Sequence, residues 1–187
     1  MSSPLGHSLA GYLIASYREK SFRPGDLKIL FIYIFLANAL DLDFIPGVLA
    51  RKPNLYHHGI SHSLGAVILI AALGALLIRL MRRGQLKRDF SYLMAICGSH
   101  LMIDLITIDG RPPLGIPLFW PLSKAYLMFP LLPPVIHSDL DLATFGQFFH
   151  DVFSLHNLYV IFLEIALMIP FAVMLRFMHI KRLRDAN

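Results

Sequence analysis

Apolar runs alternate along the chain with short polar and basic connections, and the few ionisable residues inside the runs are clustered rather than scattered. Leu158 to Met178 is the clearest run, long enough at about 1.5 Å per residue to cross roughly 30 Å of hydrocarbon, with Glu164 and Pro170 as its interruptions. Leu64 to Leu80 is nearly as apolar. Lys28 to Leu40 and Tyr92 to Ile106 are shorter and contain or end in ionisable residues. Pro4 to Tyr17 is a weak amphipathic pattern with proline at its start. Such segments are poor spans in isolation but sound ones when packed together, with their polar side chains turned into a shared interior. Between Asp109 and Pro134, repeated prolines interrupt the apolar sequence and predict an ordered loop or re-entrant segment over the bundle. The pattern therefore predicts an all-α integral membrane bundle of about five helices, forming a single domain over residues 1–187 without internal repeat or linker.

Composition supports the membrane class. Of 187 residues, 56% are hydrophobic and only 16% charged, with a mean hydropathy of +0.61, outside the usual globular balance. The lone cysteine, Cys97, has no partner for a disulfide or a thiolate metal site, so any metal must be held by nitrogen and oxygen. A net charge of +5 and nine His raise nucleic-acid binding, but the basic residues fall in short clusters between apolar segments instead of lining one polar face; no nucleic-acid partner is expected. The N-terminus shows no basic start, apolar run and small-residue cleavage site, so membrane entry is expected to use internal segments.

Those basic clusters carry orientation instead. Arg18, Lys20, Arg23 and Lys28 fall in the first connection, Arg79, Arg82, Arg83, Lys87 and Arg88 in another, and Arg176, Lys181, Arg182 and Arg184 close the chain. The positive-inside rule puts all three in the cytoplasm if the helices alternate in direction, leaving Arg51, Lys52, Arg111 and Lys124 outside. On that map His7, Asp41, Asp43, His57, His58, His62, His100 and Asp104 all fall toward the external ends of their segments.

Three of these groupings have the chemistry of a metal site. Asp41-Leu42-Asp43, with Pro46-Gly47, closes an apolar helix with two carboxylates at a turn; these are hard ligands for Zn²⁺, Mg²⁺, Mn²⁺ or Ca²⁺, and either can deprotonate water. His57-His58-Gly59-Ile60-Ser61-His62-Ser63 precedes the Leu64 run. A helix starting near His58 places His58 and His62 one turn apart, whereas His57 and His62 converge only if Gly59 breaks the helix. Ser61 offers an N-cap for the helix that follows. His100 and Asp104, four residues apart in an apolar helix, share a face, either binding one ion together or with the carboxylate orienting the imidazole. Buried hydrogen-bonded pairs and solvated turn residues are the plain alternatives for each grouping taken alone. His137 with Asp139 and Asp141, His150 with Asp151, and His156 read as polar surface, Phe119-Trp120-Pro121 as an interfacial anchor, and Glu164 as an acid facing the bundle interior.

The order of these motifs resembles the YdjM-like family of membrane-bound metal-dependent hydrolases. The resemblance runs through Gly6-His7, Leu40-Asp41-Leu42-Asp43 with Pro46, His57-His58-Gly59-Ile60-Ser61-His62-Ser63, Ser99-His100-Leu101-Met102-Ile103-Asp104-Leu105-Ile106-Thr107 and Phe119-Trp120-Pro121, covering roughly residues 5 to 130. The family pattern has Arg where this chain has His58, so the resemblance implies His57 and His62 as the ligands of that motif; it has Pro where this chain has Leu40. The motif order is also similar to the zinc-dependent phospholipase C and nuclease superfamily. That likeness implies one to three divalent ions, Zn²⁺ first with Mn²⁺ or Mg²⁺ as alternatives, held by His7, Asp41, Asp43, His57, His62, His100 and Asp104, with Asp41 or Asp43 as the catalytic group. It implies hydrolysis of a phosphoester, on a lipid or lipid-linked substrate, at the non-cytoplasmic face of a bacterial or archaeal cytoplasmic membrane. A metal transporter and a membrane protein merely stabilised by an ion are the competing expectations.

Overall fold

The computed structural model describes residues 2–18, 27–50, 56–82, 85–110, 112–136 and 150–184. Lys20, Arg23, Arg51, Lys52, Arg83, Arg111, His137, Asp139 and Asp141 lie outside the described residues. Within them the architecture is all-helical, and the only pairing of extended backbone is two isolated bridges. Helix α1 spans Pro4–Arg18 and α2 spans Leu27–Ala37. At the end of α2 the Asn38 side chain donates to the Ile34 carbonyl (2.8 Å) and to Ser8 Oγ (3.0 Å). It thereby occupies an acceptor that the next helical turn would use, and a local side-chain bond of this kind competes with helix continuation. The chain tightens into a 3-10 turn over Ala39–Asp43 and leaves through a short helix α3, Phe44–Leu49, so that the apolar segments Leu30–Ala37 and Ala39–Gly47 meet at 58°.

A second 3-10 turn, Ile60–His62, leads into α4, Leu64–Arg82. The cap of α4 is Ser63, whose Oγ accepts the Ala66 N–H at 3.2 Å, rather than Ser61; the extra turn before the helix moves the cap two residues on and frees Ser61 for other work. Helix α5 runs over Leu86–Ile106, starting six residues before the expected Tyr92, with Asp89 in its first turn where an acid favours the positive helix end. Helix α6, Leu155–Arg184, continues through Pro170. Two of these helices are long and apolar enough to cross a membrane, Leu86–Ile106 and Leu155–Met178, or three if the bent 30–47 segment is one broken span. Leu64–Leu80 is apolar but shorter.

Helix α5 is the hub: α1, α2 and α4 pack on it, while α6 meets the bundle chiefly through α1. Small residues permit the close contacts. A Cβ on Gly11 of α1 would stand 2.6 Å from Ala37 Cβ on α2, so only glycine lets these backbones approach. One buried cluster joins Leu40, Val67, Cys97, Leu101, Leu105 and Ile116, tying α4, α5, the turn after α2 and the proline-rich segment into one core. That segment is an ordered loop, as its prolines predict. Ile116 and Leu127 exchange backbone hydrogen bonds at 2.9 Å each way, and Phe129, Leu131 and Leu132 donate to the carbonyls of Leu105 and Ile106 at the end of α5. Leu64 N–H bonds the Leu118 carbonyl (2.9 Å), so the loop also closes the start of α4.

Candidate metal centre

Alternating helix direction brings distant residues to one end of the bundle: the starts of α1 and α4 with the ends of α2 and α5. His7 sits in the first turn of α1, Asp41 and Asp43 on the 3-10 turn after α2, His62 at the end of the 3-10 turn that precedes α4, and His100 and Asp104 on one face of α5. His62 Nε2 and His100 Nε2 lie 3.2 Å apart. Asp41 Oδ1 is 3.5 Å from the first and 3.3 Å from the second, and Asp104 Oδ2 is 3.5 Å and 3.0 Å from them. His62, His100 and Asp104 are buried, and Asp41 is the most exposed of the four, with 23% of its side chain accessible.

The surrounding bonds aim these atoms inward. His100 Nδ1–H donates to the Ala37 carbonyl at 2.7 Å, which leaves the lone pair on Nε2. The acceptor exists because α2 ends at Ala37 and its last carbonyls have no partner within the helix. His62 Nδ1 stands 3.1 Å from Asp43 Oδ2, leaving its Nε2 facing the cluster. Asp43 is a hub, accepting also from His57 Nδ1–H (2.9 Å) and Ser61 Oγ–H (2.6 Å). The Ser2 hydroxyl donates to Asp104 Oδ1 (2.6 Å) and accepts from His7 Nε2–H (2.6 Å), while the His7 ring stacks on His100 with centroids 3.6 Å apart. Asp104 Oδ2 is buried and makes no hydrogen bond.

All seven residues singled out as ligands thus fall in one contiguous cluster, at three depths. Asp41, His62, His100 and Asp104 converge on one point. Asp43 bonds His62 from behind, His7 stacks on His100 and reaches Asp104 through Ser2, and His57 reaches the quartet through Asp43. Gly59 breaks the helix, so His57 and His62 approach with ring centroids 5.1 Å apart; a Cβ on Gly59 would lie 2.7 Å from the Tyr56 carbonyl oxygen. Burial disfavours the charged form of His62, but its bonds to Asp41 and Asp43 outweigh that and carry it up to about 9. Burial leads for His57 and holds it below its ordinary value despite Asp43.

Sequence reasoning missed three participants. Asp109 accepts from His58 Nδ1–H (2.8 Å) and from Gly115 N–H (2.7 Å); it read as the first residue of a loop. Ser2 and Ser3 precede the first recognisable motif and carry no signal of their own. Ser3 anchors the start of α1 to Glu164, which accepts from its N–H at 2.7 Å and also from its hydroxyl. Glu164 is buried against α1, as an acid in a membrane helix must be, and Gly6 leaves it room, since a Cβ there would meet Glu164 Oε2 at 2.6 Å. His150 is exposed and 3.6 Å from Asp151, and His156 is exposed and donates to the Pro134 carbonyl; neither joins the cluster. Phe119 is exposed and Trp120 half-buried, on the loop that covers Gly65.

The model of the YdjM inner membrane protein family matches residues 1–182, nearly the whole chain and well past the last motif at Pro121. The chain belongs to that family. No curated protein and no solved structure gives a significant match.

Proposed function

We propose that this inner membrane protein is a metal-dependent hydrolase that cleaves a phosphoester of a lipid or lipid-linked substrate. The observation that carries the reading is the spacing of the four inward-facing donors. A tetrahedral ion with bonds of about 2.0 Å holds its ligand atoms about 3.3 Å apart; the His–His spacing and the four His–Asp spacings among His62 Nε2, His100 Nε2, Asp41 Oδ1 and Asp104 Oδ2 run from 3.0 to 3.5 Å, and the four residues can each present a ligand atom within 4.8 Å of the others. The donor chemistry fits as well: two imidazoles with their Nδ1 atoms facing acceptors, and a buried carboxylate oxygen on Asp104 that faces the two imidazole Nε2 atoms. Two nitrogens and two oxygens suit Zn²⁺ first and Mn²⁺ next, whereas Mg²⁺ favours six oxygens. When bound, the ion supplies the Lewis acidity that brings the pKa of water toward about 7 and offsets charge on phosphoryl oxygens.

The chain's own residues divide the remaining work. Asp41, at the accessible side of the quartet, is placed to take a proton from water. Asp43, surrounded by three donors, holds His57, Ser61 and His62 in position and has less freedom to act as the base. The loop over the start of α4 and the end of α5 shields the site from one side. The basic residues Arg79, Lys87 and Arg88 lie at the opposite ends of α4 and α5 from His62 and Asp104, so the positive-inside rule favours a site toward the non-cytoplasmic face, at the level of lipid headgroups.

The test is elemental analysis of the purified protein against a His62→Ala/Asp104→Ala double variant, with phosphoester hydrolysis in lipid vesicles measured on both. About one ion per chain at this site and turnover in the wild type, both lost in the variant, is the expected result. Equally little metal in the two preparations overturns the reading, and metal uptake into proteoliposomes without phosphoester cleavage would replace it with transport.

A further inference from the structure

Beside the quartet stands a pair of imidazoles to which the proposed reaction gives no task. His57 and His58 are neighbours in sequence, and their ring centroids are 4.2 Å apart. Each gives its Nδ1–H to a carboxylate, His57 to Asp43 Oδ1 at 2.9 Å and His58 to Asp109 Oδ2 at 2.8 Å. Each therefore carries its lone pair on Nε2. Both Nε2 atoms are buried and make no hydrogen bond, in side chains that are 6% exposed. Buried polar atoms are rarely left this way, because the lost hydration is not replaced.

Two such atoms side by side call for a common explanation. His58 also occupies the left-handed region at φ 57, which a residue with a Cβ seldom adopts and which the surroundings must enforce. Asp109, which holds its ring, is itself held by Gly115 N–H at 2.7 Å, so the orientation is fixed two contacts deep. A carboxylate on Nδ1 and a bare Nε2 is the arrangement by which proteins aim histidine at a metal. His57, His58 and His62 can each present a ligand atom within 4.8 Å of the others.

We propose that His57 Nε2 and His58 Nε2 hold a second divalent transition-metal ion, adjacent to the quartet site and sharing His62 as a wall. Two imidazoles select Zn²⁺, Co²⁺, Ni²⁺ or Cu²⁺ over Mg²⁺ and Ca²⁺. They leave coordination positions for water or an anionic oxygen, so a phosphoryl group on the quartet's ion would have a second cation beside it. The inference rests on the proposed metal reading of the quartet only in counting two ions instead of one, and the experiment separates the two claims.

Full-length protein in detergent is stripped with chelator and titrated with Co²⁺, following its visible absorption, and with Zn²⁺, counted by elemental analysis. Wild type, His58→Gln, His100→Gln and Asp109→Asn are compared, with helix content by circular dichroism confirming that each is folded. Two ions in the wild type, one in His58→Gln and one in His100→Gln are expected. Asp109→Asn keeps both imidazoles and should bind the second ion about 10- to 100-fold more weakly. A single wild-type ion that survives His58→Gln and is lost in His100→Gln overturns the second site and leaves the first. Two ions retained in His58→Gln also overturn it. One ion lost in His58→Gln but kept in His100→Gln overturns the quartet and leaves the His57–His58 site, and a wild type that binds none overturns both.

Discussion

Helices α5 and α6 are both long and apolar enough to span a membrane, and α6 is the more apolar, yet it is α5 that carries residues of the His and Asp cluster. Half of the α5 span is buried inside the protein, against 11% of the α6 span. Helix α5 is wrapped by α1, α2 and α4 and carries His100 and Asp104 on a covered face. Helix α6 lies at the edge with one acid, Glu164, turned to its seam with α1. An ionisable residue in a membrane helix is tolerated where protein replaces water, so the helix with the most protein around it can hold the most charge. The smaller polar seam of α6 is connected to the larger one: Glu164 holds Ser3, and its neighbour Ser2 bonds Asp104 and His7.

The sharpest way to break this comparison is Asp104→Ala. Removing a buried carboxylate from the quartet should weaken metal binding by more than about 100-fold, beyond the range for residues that only support a ligand, as read by competition with a chelating dye. Asp43→Asn leaves the quartet intact but weakens the support of His57 and His62; a loss of about 10- to 100-fold is expected in the same assay.

A pH titration should move binding by up to about tenfold per unit, because a proton on His62 competes with the metal. With His62 at about 9 in the metal-free protein, affinity should rise with pH over the range up to about 9. The sign for stability is opposite. A folded pKa above the ordinary 6.5 contributes stability that is fully present below about 6.5 and is lost as pH rises through about 9, so metal-free protein should melt at lower temperature toward pH 9. Metal-loaded protein should not show that decline.

On α6 the effects should be smaller and structural. Glu164→Gln cannot accept from Ser3 N–H and Oγ–H as a carboxylate does, and about 1–3 kcal/mol of stability should be lost, with metal affinity changed less than tenfold. Thermal melts and the dye assay on one preparation check both halves; a metal loss as large as that of Asp104→Ala would show that α6 belongs to the site itself. Phe162→Ala, on the exposed face of the same helix, should change neither measurement beyond about 0.5 kcal/mol.

Much of this was legible in the residue pattern because it depends on local periodicity. The apolar runs, the prolines of 109–134 and the four-residue spacing of His100 and Asp104 each follow from the geometry of a short stretch of backbone, and alternating helix direction was enough to bring the His and Asp motifs to one end. Tertiary structure decided what spacing cannot express. That Asp41 faces the Nε2 atoms of His62 and His100 while Asp43 turns to His57, Ser61 and His62 Nδ1 depends on the bend at Asn38, which places two carboxylates of one turn in different surroundings. That His58 is oriented depends on Asp109, 51 residues away, and the pairing exists only because the loop returns its Asp to the His-rich turn. Ser2 and Ser3 acquire their roles from α5 and α6, from which local sequence carries no information. Sequence determined the donor types and the end of the bundle where they gather, since these follow from chain geometry. Only the folded contacts decided which lone pairs point inward, since that is set by partners distant along the chain.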